Sequence, residues 1–191
     1  MPRQVFFYEQ PDRFVAGTVG EPGQRIFFLQ ATGAGRTTSV ALEKTQVAAL
    51  AERIDELLDE VVRRTGGSTV VPAVAPGELA DTAPLDSPVE EEFRVGTMGL
   101  GWDSDSRAVV IELLAVTEGE VDESVVLDDT DEGPDAVRVF LTPTRARAFA
   151  ARADRVVRAG RAPCPLCAEP LDPEGHVCPR QNGYRRGEES D

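Results

Sequence analysis

The chain is poor in the side chains that most often do chemistry. Its 191 residues include three cysteines, one histidine, one lysine (Lys44), one tryptophan and two tyrosines. One histidine leaves no base for a Ser-His-Asp triad once that residue is committed elsewhere. Three cysteines are too few for a disulfide scaffold. No apolar run approaches the roughly 20 residues of a membrane span, and the first ten residues carry no export signal. Positive charge is also scarce. Lys and Arg number 20 against 34 acids, a formal net charge of −14. Such a field repels phosphate, so a nucleic acid is an unlikely partner for the body of the chain.

What is there is concentrated. All three cysteines and the histidine fall between Cys164 and Cys178, as Cys164-Pro-Leu-Cys167, eight residues, then His176-Val-Cys178. A C-x2-C pair forms a tight knuckle that turns two thiolates toward one ion. The pair beyond the Pro/Gly-rich turn can supply the other two ligands. Cys164, Cys167, His176 and Cys178 thus read as a closed tetrahedral Zn2+ site with a structural role. The alternatives are a disulfide or a redox CxxC. Pro165, Pro170 and the adjacent ligand pair argue against the redox motif, which opens a helix after a strand. Cysteines engaged by metal agree with a reducing cytoplasm.

Charge is uneven along the chain. Residues 143–186 hold nine arginines against four acids, so the remainder carries about −19 by difference. In the helix expected over 144–160, Arg145, Arg147, Arg152, Arg155 and Arg158 plot opposite an apolar stripe of Phe149, Ala153, Val156 and Val157, which predicts a cationic exterior. After the metal motif, Arg180, Asn182, Tyr184, Arg185 and Arg186 combine phosphate-binding and stacking groups. Together with Arg152 and Arg155 they are candidates for holding a phosphate or a protein partner. The plainer reading is a solvated tail. Lys44 reads as a strand-end lysine and Trp102 as a core aromatic of an edge strand.

Short strands are expected at 5–8, 13–19, 25–32 and 37–43, with a hairpin turn at Gly33-Ala-Gly35. A helix capped by Thr45 runs to Arg64, where Gly66-Gly67 stops it. Its apolar face is Val47, Leu50, Ile54, Leu57, Leu58 and Val61. Residues 66–92 read as a Pro/Gly/acidic linker. Strands follow at 93–102, 107–117 and 137–142. Residues 117–136, with nine acids and no base, read as an acidic loop.

Two stretches recur. Phe14-Val-Ala-Gly17-Thr18 matches Phe93-Arg-Val-Gly96-Thr97, and Val40-Ala-Leu42-Glu-Lys-Thr45 matches Val139-Phe-Leu141-Thr-Pro-Thr144. Ala49, Ala51, Arg53 and Asp55 align likewise with Ala148, Ala150, Arg152 and Asp154. The fold expected is α+β: two strand–strand–strand–helix repeats, 1–65 and 93–160, related by a pseudo-twofold and sharing one core. A small zinc knuckle and basic tail occupy 161–191. A cleft between the repeats is where a ligand is expected.

The chain resembles an actinobacterial family catalogued as domain of unknown function 3090. The resemblance rests on Val5-Phe-Phe-Tyr8, Phe14-x-x-Gly17-Thr18, Phe27-Phe-Leu-Gln-Ala31 and the ending Cys164-Pro-Leu-Cys167…Gly175-His-Val-Cys178-Pro-Arg-x-Asn182-Gly-Tyr184-Arg185. It implies a cytoplasmic protein of unassigned activity, encoded near phosphatase-like and kinase-like proteins. The residues themselves point to a zinc-stapled binding or adaptor protein without catalysis. The alternatives are an enzyme or sensor for a phosphorylated small molecule in the cleft, and nucleic-acid binding through the arginine-rich helix and knuckle.

Overall fold

Short runs of apolar, β-branched and aromatic residues drive the strands, and a 3.6-residue apolar period drives two helices. The computed structural model describes residues 3–21, 23–118, 132–159, 164–167, 171 and 178. In order they form β1 (Val5–Glu9), β2 (Arg13–Val19), β3 (Ile26–Gly33), β4 (Arg36–Leu42), α1 (Lys44–Thr65), β5 (Glu91–Asp103), β6 (Ala108–Ala115), β7 (Ala136–Leu141) and α2 (Pro143–Arg158). The fold is α+β, one mixed seven-stranded sheet with two helices. The acidic stretch at 119–131 and most of 160–191 lie outside the described residues.

Local chemistry sets the boundaries. Ala34 and Gly35 have φ of 51° and 73° and make the hairpin between β3 and β4. The helix α1 begins two residues earlier than a Thr45 cap would place it. Glu43, not Thr45, is its N-cap, and the Gln46 side chain reaches back to accept from the Glu43 N–H at 2.8 Å. Gly66 ends it in the left-handed conformation.

The strand order is β1-β7-β6-β5-β4-β3-β2. Two antiparallel meanders, β2-β3-β4 and β5-β6-β7, lie side by side, joined by a parallel pairing of β4 with β5. Each meander is followed by a helix. Here β4 meets β5 and the two meanders run in the same sense, one after the other across the sheet. The first 65 residues are not one block: β1 pairs in parallel with β7, from Val5↔Ala136 to Glu9↔Phe140.

This placement forces the sheet to curl. A flat sheet of seven strands spans about 29 Å between its edge strands at roughly 4.8 Å per gap. The edges β1 and β2 are linked by residues 10–12 alone, a reach of about 15 Å at most. Curling brings Tyr8 of β1 within 2.7 Å of Thr38 Oγ1 on β4, and sets the Arg36 guanidinium over the rings of Phe6 and Tyr8 at 5.4 and 4.9 Å. Inner-face residues from all seven strands then share one core with Val47, Leu50, Ile54 and Leu58 of α1 and Ala146, Phe149 and Ala153 of α2. Phe14 stacks on Phe149 at 4.6 Å. Trp102 packs partly buried against this core, but β5 is not the expected edge strand: it lies inside the sheet between β4 and β6.

Close approach by the Val116 backbone and by the Leu85 side chain explains the two repeated glycines. A Cβ on Gly96 would lie 2.8 Å from Val116 Cα, at the bulge where β5 shifts register. A Cβ on Gly17 would lie 2.5 Å from Leu85 Cγ. Leu85 belongs to the segment crossing from α1 to β5, and it plugs a second apolar cluster of Val15, Phe28 and Ala41 on the outer face of the first meander.

Candidate metal centre

Cys164-Pro-Leu-Cys167 forms a turn, and the Sγ atoms of Cys164, Cys167 and Cys178 all lie within 4.8 Å of one another. Cys164 and Cys178 are buried and Cys167 is half-buried. The Cys164 and Cys178 sulfurs are 3.8 Å apart. Two thiolates on one tetrahedral Zn2+, each about 2.3 Å from the ion, sit about 3.8 Å from each other, whereas a disulfide closes to about 2.05 Å. The separation therefore fits one edge of a coordination tetrahedron and excludes a bond between these two sulfurs. The N–H groups of Leu166 and Cys167 point at the Cys164 sulfur and, with the neighbouring thiols, lower its pKa from 9.0 to about 6. Three thiols so placed can hold one metal ion. His176, expected as the fourth ligand, lies outside the described residues, as do Arg180, Asn182, Tyr184, Arg185 and Arg186.

The arginines of α2 are arranged differently from the expected cationic exterior. Arg152 is buried, and its Nε donates to Ala16 O at 2.8 Å. Its other nitrogens donate to the Asp81 carboxylate and backbone at 2.6 and 2.7 Å and to Ala83 O at 2.7 Å. Burial pulls its pKa below the ordinary arginine value, Asp81 opposes that, and the nearby Arg13 and Arg155 add to it. Arg147 is buried between the helices on Asp55 at 2.6 Å, on Asp59 and on Pro72 O at 3.1 Å. Burial works against its charge, but the two carboxylates outweigh it and hold its pKa above the ordinary value. Arg145 donates to Asp12 O, exposed Arg155 to Asp81 O, and Arg158 pairs with Asp154. A helical plot separates polar from apolar faces, but it does not show that the polar face of α2 is itself covered by α1 and the crossing segment.

A cavity of about 270 Å³ lies where α2, β2 and the crossing segment meet, with Arg13, Arg145 and Arg152 in its wall. Arg13 and Arg152 already share Asp81, which removes most of their capacity for an added anion. Lys44 is exposed at the start of α1.

A buried ionic cluster on the other half of the sheet was not anticipated. Glu112, fully buried in the middle of β6, accepts from Arg3 and Arg138, both at 2.8 Å. Its signal was present in the run Ala-Val-Val-Ile-Glu-Leu-Leu-Ala, where a carboxylate flanked by apolar residues on both sides requires a cation directly opposite. Register supplies it as Glu112↔Arg138.

The chain belongs to the protein family of unknown function DUF3090, whose model matches residues 6–178. That match includes the whole Cys-His-Cys segment and stops before the arginine-rich ending. No curated protein and no solved structure gives a significant match.

Proposed function

We propose that Cys164, Cys167, Cys178 and His176 hold one structural Zn2+ ion, and that the chain works as a metal-stapled, non-catalytic binding or adaptor protein of the cytoplasm. The observation carrying this reading is the 3.8 Å separation of two buried sulfurs in a three-thiol cluster. Thiolates select a soft or borderline ion, and a fourth ligand closes the shell, leaving no position for substrate or water. Metal binding in such a segment is coupled to its folding, so the ion fastens the C-terminal part of the chain. The internal partners of Arg147 and Arg152 weigh against the phosphate-ligand and nucleic-acid alternatives, because both need those cations facing outward.

Native mass spectrometry of the full chain, compared with its denatured mass, tests the proposal. A single zinc lost on denaturation is expected, and no metal would overturn it. A retained phosphorylated compound would favour the small-molecule alternative instead.

A further inference from the structure

The outer face of the β2-β3-β4 meander holds the crossing segment in the manner of a bound peptide. Gln30, 1% exposed, pairs with Asp86 twice: its Nε2 donates to Asp86 O at 3.0 Å and its Oε1 accepts from Asp86 N–H at 2.8 Å. One side chain thus satisfies both backbone groups of one residue, as a neighbouring strand would. Leu85 fills a recess that exists because Gly17 has no side chain, against Val15, Phe28 and Ala41. Arg13 takes the carboxylates of Asp81 and Asp86 on either side of Leu85, at 2.7 and 3.0 Å, and the carbonyls of Ala83 and Pro84. Arg152 holds the Ala83 carbonyl from the helix side. Backbone reading, one apolar pocket and two flanking charge contacts are the parts of an extended-peptide site.

We propose that this face is a recognition groove for an extended protein segment carrying a leucine between two carboxylates, and that residues 81–89 occupy it in cis as a displaceable pseudo-ligand. The occupant of the same chemistry in trans is a partner protein's Asp-x-x-Pro-Leu-Asp stretch. The core beneath is formed by the opposite face of these strands, so opening the groove leaves it closed. The proposal does not depend on the metal.

A tethered segment competes at an effective concentration on the order of millimolar, so a free peptide binds only when the tether is weakened. The test uses the full chain with Leu85→Asp and a labelled peptide of residues 80–90, read by fluorescence anisotropy. Binding at least about tenfold tighter than to the unmodified chain is expected. Adding Gly17→Ala, which fills the recess, should abolish it, whereas mere charge attraction would survive. A Leu85→Asp chain that melts cooperatively yet binds no tighter overturns the proposal. Should that variant fail to fold, hydrogen exchange of the unmodified chain decides. The Asp86 amide must exchange faster than the β3 amides, and exchange only through global unfolding also overturns the proposal.

Discussion

Arg152 and Asp81 meet at 2.6 Å across the junction of α2 with the crossing segment, with the arginine side chain 7% and the carboxylate 30% exposed. Removing the guanidinium takes the Arg152 donor from the Ala16 carbonyl, and leaves the Ala83 carbonyl and the partly buried Asp81 carboxylate with Arg13 as their remaining arginine donor. Arg152→Ala should cost about 2–4 kcal/mol in urea unfolding, the range for breaking a buried charged network. Lysine should not rescue it, since a single ammonium cannot reach acceptors spread over three residues.

Asp81 makes the same junction pH-dependent. The Arg13 hydrogen bond holds its pKa below the ordinary 3.8, burial partly opposing and Arg152 assisting. A carboxylate depressed by folding contributes stability that is fully present above its unfolded value and lost as pH falls through the folded one. Unfolding free energy should therefore decline below about pH 4. Asp81→Asn should be less stable at neutral pH and flatter in that acid range. Equal acid slopes for the two chains would show that Asp81 does not stabilise the junction.

The contrast between Arg147 and Arg158 tests whether the cations of α2 act inward. Arg147 is buried against Asp55 and Asp59, while Arg158 is 79% exposed beside Asp154. Arg147→Ala should lower stability by about 2–3 kcal/mol, and Arg158→Ala by about 0.5 kcal/mol or less. Similar losses from both would mean that the helix pair does not depend on this bridge.

Much of the fold was legible because periodicity carried it. The apolar positions of α1 at Val47, Leu50, Ile54 and Leu58 are all buried, and β6, read as a central strand, is buried on both faces. Pairing partners were not legible. Three residues separate β1 from β2, which suggests a hairpin, yet β1 lies parallel to β7, because the tandem meanders curl and offer it an edge there. Of the candidate metal centre, the clustering of the cysteines was readable from spacing, since a C-x2-C turn brings Cys164 and Cys167 together whatever surrounds it, and Cys178 joins them. The fastening of the crossing segment was not, because Arg13, Gln30 and Asp86 meet only after 56 to 73 residues of intervening chain.

Glu112 sits between two arginines with no exposure of its own side chain. Glu112→Gln keeps the shape and removes the charge, leaving the Arg3 and Arg138 guanidinium groups facing each other without that carboxylate. A loss of about 3–5 kcal/mol is expected in denaturant unfolding. Glu112→Gln together with Arg138→Met should recover part of it, because the repulsive pair is gone. No recovery would show that the two residues do not act as a unit.

The Cys164 thiol supplies the last prediction. Its pKa of about 6 means that at neutral pH it is already a thiolate. Metal binding at pH 7 then releases no proton from this residue, whereas below pH 6 it must release one. Protons released per Zn2+, measured calorimetrically in buffers of different ionisation enthalpy, should rise as pH drops through that value, and Cys164→Ser should lower the rise by about one, the remainder coming from His176. Without metal the sign is that of any depressed acid: the thiolate's contribution to folding is full above 9.0, shrinks as pH falls, and is gone below about 6. Cys164→Ser should also weaken metal binding. On the proposed reading, in which the ion fastens the C-terminal segment, that variant and Cys178→Ser should become sensitive to protease after α2 while the main melting transition moves little. Unchanged proteolysis would mean that the ion does not fasten this segment. A collapse of the main transition would mean that it stabilises the sheet as well.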